Sequence, residues 1–110
     1  MVTPLDEWVR VIHENAKAHG WWDGQRNFGE CLALIHSEVS EAMEAWRESE
    51  IPKMQVGWKP EGWAVELADV IIRCMDTLAG FAPNLSLQKL MSLKHEFNLT
   101  REYRHGGKRA

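Results

Sequence analysis

Residues 63–78 read Trp63-Ala64-Val65-Glu66-Leu67-Ala68-Asp69-Val70-Ile71-Ile72-Arg73-Cys74-Met75-Asp76-Thr77-Leu78. Set at about 100° per residue around a helix axis, the apolar side chains from Trp63 to Leu78 cover well over half of the wheel. One narrow sector is left, and it holds Glu66, Asp69, Arg73 and Asp76. A helix this apolar has to be covered on more than one side. A four-helix monomer of this length can scarcely do that alone. The pattern therefore predicts a homo-oligomer, a homodimer or homotetramer, with this helix near the interface.

The neighbouring segments carry the same three-and-four spacing and no strand-like alternation, so the expected fold class is all-α. A first helix has Thr3 as its N-cap, Pro4 at its first position and Asp6 at its third. Its stripe is Leu5, Trp8, Val9, Ile12 and Ala16, and Gly20 ends it. A second helix runs over 27–48 with Phe28, Cys31, Leu32, Ile35, Val39, Ala42, Met43 and Trp46 on its stripe. Pro52, Gly57 and Pro60 mark a loop, and Pro60 suits the first turn of the third helix, which ends near Gly80. Ser86 caps a fourth, with Leu87, Leu90, Met91 and Phe97 as its core residues. The expected organisation is a four-helix bundle over 1–98 and a basic tail over 99–110.

Composition narrows the function classes. Of 110 residues, 45% are hydrophobic and 26% charged, which excludes a disordered chain. No apolar run approaches membrane-spanning length. Thr3, Pro4 and Asp6 stand where a secretory signal needs positive charge and then an apolar stretch, so a cytoplasmic protein with no membrane partner is expected. Residues 1–50 carry ten acids against four Lys or Arg, and residues 51–110 carry six against nine. That excludes a uniformly basic face for nucleic acid, and suits instead a cation held beside a polyanion. Cys31 and Cys74 have no CxxC spacing for a zinc ribbon, and both fall on apolar arcs as reduced core thiols. Trp8, Trp46 and Trp63 fall on apolar stripes and are expected in the core, whereas His36 lies opposite the main stripe of its helix. Trp58, in the Pro/Gly loop, reads as a lid or a loop anchor.

Two i, i+3 acid pairs carry the chemistry: Glu38-x-x-Glu41 on the second helix and Glu66-x-x-Asp69 on the third. Residues three apart share a helix face. Pairs on facing helices would bring four carboxylates around one small volume. Glu38 lies at the edge of the apolar arc, a poor place for a solvated glutamate. A divalent cation relieves the repulsion, and all-oxygen ligands select Mg²⁺, with Mn²⁺ as a substitute. Mg²⁺ held this way commonly bridges to substrate phosphates. The other reading of such pairs is a solvated acidic face. A di-iron bundle wants a Glu-x-x-His pair on each of two helices, and the only one here, Glu102-x-x-His105, lies in the basic tail.

With their flanks, these residues resemble a known family. Glu30-Cys31-Leu32-Ala33-Leu34-Ile35-His36-Ser37-Glu38-Val39-Ser40-Glu41-Ala42, then Glu66-Leu67-Ala68-Asp69-Val70-Ile71-Ile72, is similar to the MazG-like all-α nucleoside triphosphate pyrophosphohydrolases. The ending Asn98-Leu99-Thr100-Arg101 and His105-Gly106-Gly107-Lys108 resembles the tail of small, often phage-type members. The resemblance spans about residues 13–108. It implies an oligomeric helical bundle that cleaves nucleoside triphosphates to monophosphate and pyrophosphate, with Glu38, Glu41, Glu66 and Asp69 as Mg²⁺ ligands. Glu38 or Glu41 would orient or deprotonate the attacking water.

Arg101, Arg104 and Lys108 are the expected phosphate contacts, possible across a subunit interface, against the plainer reading of a solvated terminus. The segment from His13 to Trp22, followed by Arg26-Asn27, sits where relatives bind the base. Trp22 is the first candidate for stacking and Trp21 the second, with His13 as a base or sugar contact; one of the two tryptophans is also expected to seal the turn. Arg73 is expected to pair with Glu66 or Asp69. Two alternatives stand beside this reading: an enzyme restricted to one pyrimidine deoxynucleotide such as dCTP or dUTP, and a non-catalytic helical interaction module.

Overall fold

The structure, a computed structural model, describes residues 2–104. It is an all-α, four-helix fold: α1 (Pro4–Ala18), α2 (Phe28–Glu48), α3 (Trp63–Phe81) and α4 (Leu87–Leu99). No strand occurs among the described residues, and no helix among them is long and apolar enough to cross a membrane.

Side-chain caps start three of the four helices, because the first N–H groups of a helix have no partner within it. Thr3 accepts from the Asp6 N–H, Asn27 from the Glu30 N–H and Ser86 from the Lys89 N–H. The start of α3 departs from expectation. It begins at Trp63, not in the turn containing Pro60, and its N-cap is Gly62 at φ +110° with no side-chain cap. The reason lies just upstream: Val56 and Lys59 exchange two backbone hydrogen bonds across Gly57 and Trp58, and this tight turn takes the chain through Pro60 before the helix can start. Trp58 stands exposed at that turn.

The helices α2 and α3 pack along each other, and α1 lies on α3. The fourth helix packs chiefly on α1, tied at its first turn. Asp6, at the third position of α1, accepts from the Ser86 hydroxyl (2.7 Å) and the Gln88 N–H (3.3 Å) at the start of α4. One carboxylate thus joins the N-termini of two helices, and the Ser86 bond leads the contacts that hold its pKa low.

The centre of the fold is small: Cys31, Ala42, Met75 and Thr77 are buried, with Glu38 among them. Several residues expected in the core are uncovered within one chain. Trp8 and Trp46 are exposed, as are Cys74 and the α4 residues Leu90, Met91 and Phe97. Trp63 is half-buried, its indole N–H donating to the Glu50 carbonyl. Phe28, Leu32, Val39, Met43 and Trp46 form one stripe along α2, each between 41% and 55% exposed. The cause is geometric: α2 presents Cys31, Glu38 and Ala42 to α3, and this second stripe lies about a quarter-turn away. The radius of gyration is 16.4 Å, against about 13 Å for a compact chain of this length.

Candidate metal centre

Packing of α2 on α3 turns Glu38 inward, opposite the polar sector of α3. Glu38, Glu66 and Asp69 each offer a carboxylate oxygen, and these three atoms lie within 4.8 Å of one another. Glu38 is only 9% exposed. Its Oε1 accepts from Arg73 Nε at 3.1 Å. Arg73 therefore pairs across the helix interface, and not along its own helix with Glu66 or Asp69 as the spacing predicted. The buried Oε2 of Glu66 has no hydrogen-bond partner. Burial pushes the Glu66 carboxyl pKa up, and the charges of Asp69, Glu41 and Glu38 push it further.

The fourth expected acid, Glu41, stands at the rim. It is exposed and lies outside the three-oxygen group. Its carboxyl pKa is raised chiefly by the charge of Glu38. The donor set is wholly carboxylate oxygen, the hard ligand type that suits Mg²⁺ or Mn²⁺ and not Zn²⁺. An orphaned acceptor beside two further carboxylates is unfavourable until a cation or proton arrives. The residues fit a divalent ion.

Glu38, Asp69 and Arg73 line a cavity of about 660 Å³ whose wall continues along Asp76, Trp21 and Asn15. Trp21 is 55% exposed, with the guanidinium groups of Arg26 and Arg73 at 6.0 and 5.8 Å from its ring centre. Trp22 is placed differently. Its ring packs so closely on Gly80 that a Cβ there would fall within it. It meets His13 and Phe81 edge-on, and the Arg26 guanidinium lies 4.7 Å from its ring centre. Of the two tryptophans, Trp22 seals the turn between α1 and α2, and Trp21 is the one on the wall of the acid-lined cavity.

Asp76 holds this end together. It accepts from Trp22 Nε1 at 2.9 Å and lies 2.8 Å from His13 Nδ1, with Arg26 at 3.7 Å. An ionised carboxylate only accepts, so His13 Nδ1 carries the proton and donates. Asp76 was not expected in the site, whereas Arg26 belongs to the stretch expected at the base. The signal for Asp76 was available: it is the last acid in the polar sector of an otherwise apolar helix, seven residues beyond Asp69.

Of the basic residues, Arg101 is half-buried with its guanidinium 5.6 Å from the Phe97 ring centre, and Arg104 is exposed. Neither lines the acid cavity. Lys108 lies outside the described residues. No protein-family model, curated protein or solved structure matches the chain.

Proposed function

We propose that this chain is a cytoplasmic, Mg²⁺-dependent pyrophosphohydrolase that converts a ribo- or deoxynucleoside triphosphate to the monophosphate and pyrophosphate. The observation that carries the reading is the unpartnered, buried Oε2 of Glu66 among the carboxylates of Glu38 and Asp69. Such a group is tolerated where a cation completes it, and a site for a hard divalent ion beside an open cavity fits a phosphate-bearing substrate. When bound, Mg²⁺ supplies neutralisation of the phosphate oxygens and polarisation of the attacked phosphorus.

Glu38, Glu66 and Asp69 hold the ion, with Glu41 at the rim. Arg73 engages Glu38 and fixes its orientation. Glu41, free of that ion pair and beside the charge of Glu38, accepts the proton of the attacking water. The water oxygen bonds to the α-phosphorus, the bond from that phosphorus to the bridging oxygen breaks, and pyrophosphate leaves. Trp21 offers a face for the base.

The reading includes a second copy of the chain. The accessible surface is 8855 Å², against about 6,200 Å² for a compact monomer of this mass. That excess is larger than the roughly 800 Å² each partner contributes to a standard interface. The uncovered α2 stripe and the exposed Leu90, Met91 and Phe97 of α4 are candidate faces for such an interface. Arg73, the cation of the cavity wall, is already paired with Glu38, so the further charge needed by a triphosphate falls to Arg101, Arg104 and Lys108, brought in by assembly.

The test is product analysis with a panel of ribo- and deoxynucleoside triphosphates, with Mg²⁺ and with chelator, for wild type and Glu38→Gln. Metal-dependent monophosphate and pyrophosphate, lost in the variant, is the expected result. Orthophosphate would place the attack at the γ-phosphorus and overturn the mechanism. A panel with no turnover, together with no Mg²⁺ binding by calorimetry, would leave a non-catalytic interaction module.

A further inference from the structure

Asp76 lines the acid cavity, and its hydrogen bonds leave acceptor capacity on Oδ2. Oδ1 accepts from His13 Nδ1 at 2.8 Å and from Trp22 Nε1 at 2.9 Å, which uses both of its lone pairs. Oδ2 shares the same Trp22 N–H at 3.2 Å, and Arg26 stands 3.7 Å away, beyond hydrogen-bond reach. The Asp76 side chain is 14% exposed, and it lines the cavity that Glu38 and Asp69 also line. Asp69 and Asp76 are seven residues apart on α3, about 10.5 Å along the axis. That separation suits the reach from an α-phosphate to the far edge of its base. With the phosphates at the acid cluster and the base on Trp21, the base edge meets Asp76.

We propose that Asp76 selects nucleobases bearing an exocyclic amine and disfavours uracil and thymine. The inference rests on the nucleotide reading above for the direction in which the substrate lies. An ionised carboxylate offers acceptance only. The amines of cytosine, adenine and guanine donate to it. Uracil and thymine have carbonyl oxygens on both sides of their single N–H, and these face the carboxylate with like partial charge. The two donors, His13 from α1 and Trp22 from the following turn, do more than satisfy Asp76, and the Arg26 guanidinium adds its charge at 3.7 Å. They hold its carboxylate plane in place, with the Trp22 N–H shared between both oxygens and the His13 N–H on Oδ1.

Size-matched pairs isolate the effect: dCMP against dUMP, and dAMP against dIMP, titrated in Mg²⁺ buffer with tryptophan fluorescence as the readout. The amine-bearing member of each pair that binds is expected to be at least about tenfold tighter. In Asp76→Asn the amide oxygen can serve His13 and Trp22 while the amide N–H faces the cavity, so the order of dCMP and dUMP is expected to reverse. Equal binding within a pair, preference for the keto base, or no binding by any of the four overturns the inference. So does an Asp76→Asn protein of normal helicity that keeps the wild-type order. If that variant does not fold, the wild-type ratios decide. Discrimination without pyrophosphate release from any triphosphate would sink the enzymatic reading alone. Turnover without discrimination would sink the Asp76 inference alone.

Discussion

Glu66→Gln in metal-free buffer is expected to make the protein more stable. The three clustered carboxylate oxygens lie within 4.8 Å. At that distance and an effective dielectric of about 20, one pair of unit charges repels by about 3–4 kcal/mol. Arg73 offsets the Glu38 contribution through its 3.1 Å ion pair, but its own side chain is 34% exposed. Water and salt screen much of the remainder, leaving a net gain of about 1–2 kcal/mol when the Glu66 charge is removed. In a domain of this size that raises the melting temperature by about 5–10 °C. The pH dependence follows from the same groups. Glu66 and Glu41 have pKa values raised above the ordinary 4.5, so their contribution to stability is full below that value and is lost as pH rises through the folded value. Through these two groups metal-free wild type gains stability on acidification toward 4.5, and Glu66→Gln gains less. Added Mg²⁺ should raise the wild-type melting temperature and leave the variant nearly unmoved. The assay is a thermal melt followed by far-ultraviolet circular dichroism, with chelator and with Mg²⁺. A lower melting temperature for Glu66→Gln in chelator would mean that the acids support the fold, and the metal centre would be wrong.

Gly80→Ala gains about 1 kcal/mol of helix propensity yet forces the Trp22 ring off its seat and strains its bond to Asp76. Overpacking of about 1–3 kcal/mol exceeds that gain, so a lower melting temperature and a shifted tryptophan emission are expected. Asp6→Asn weakens the tie between α1 and α4. Because the Asp6 pKa is lowered in the fold, its contribution is present above the ordinary 3.8 and lost as pH falls through the folded value. The variant should melt lower at pH 7 and converge on wild type in strong acid. Met43→Lys, in the middle of the open α2 stripe, should shift the sedimenting species from a multiple of 12.7 kDa toward that mass. A wild type that sediments as a monomer at every concentration would remove the assembly argument.

Local signals carried most of the fold. Thr3, Asn27 and Ser86 each cap a helix where a short polar side chain precedes an apolar-periodic run. The start of α3 escaped because Pro60 is compatible both with a first helical turn and with the end of a tight turn; the Val56–Lys59 bonds that decide between them are specified by no residue pattern. In the site, the i, i+3 rule put Glu66 and Asp69 on one face, and the edge position of Glu38 foretold its burial. The rule could not foretell that Arg73 would reach across to Glu38, because same-helix spacing says nothing about what a facing helix presents. Nor could a wheel separate Trp21 from Trp22. Adjacent residues in a turn differ by which one meets Gly80, and that contact joins positions 58 residues apart. The misplaced core residues share one cause: an apolar arc gives the direction of a helix's hydrophobic face, and the packing of α1 and α2 on α3 leaves part of those faces uncovered within the chain.

The single carboxylate that ties α1 to α4 also makes α4 a lever. Its 13 residues extend about 20 Å from a pivot at Asp6, so a rotation of about 10° there moves the far end by about 3.5 Å. Just beyond that far end stands Arg101. An error of that size is the difference between a guanidinium in contact with a phosphate oxygen and one separated from it by a water. On the proposed function, whatever clamps α4 along its length would set the aim of Arg101, and a neighbouring subunit packed on Leu90, Met91 and Phe97 would tune phosphate affinity without touching a phosphate.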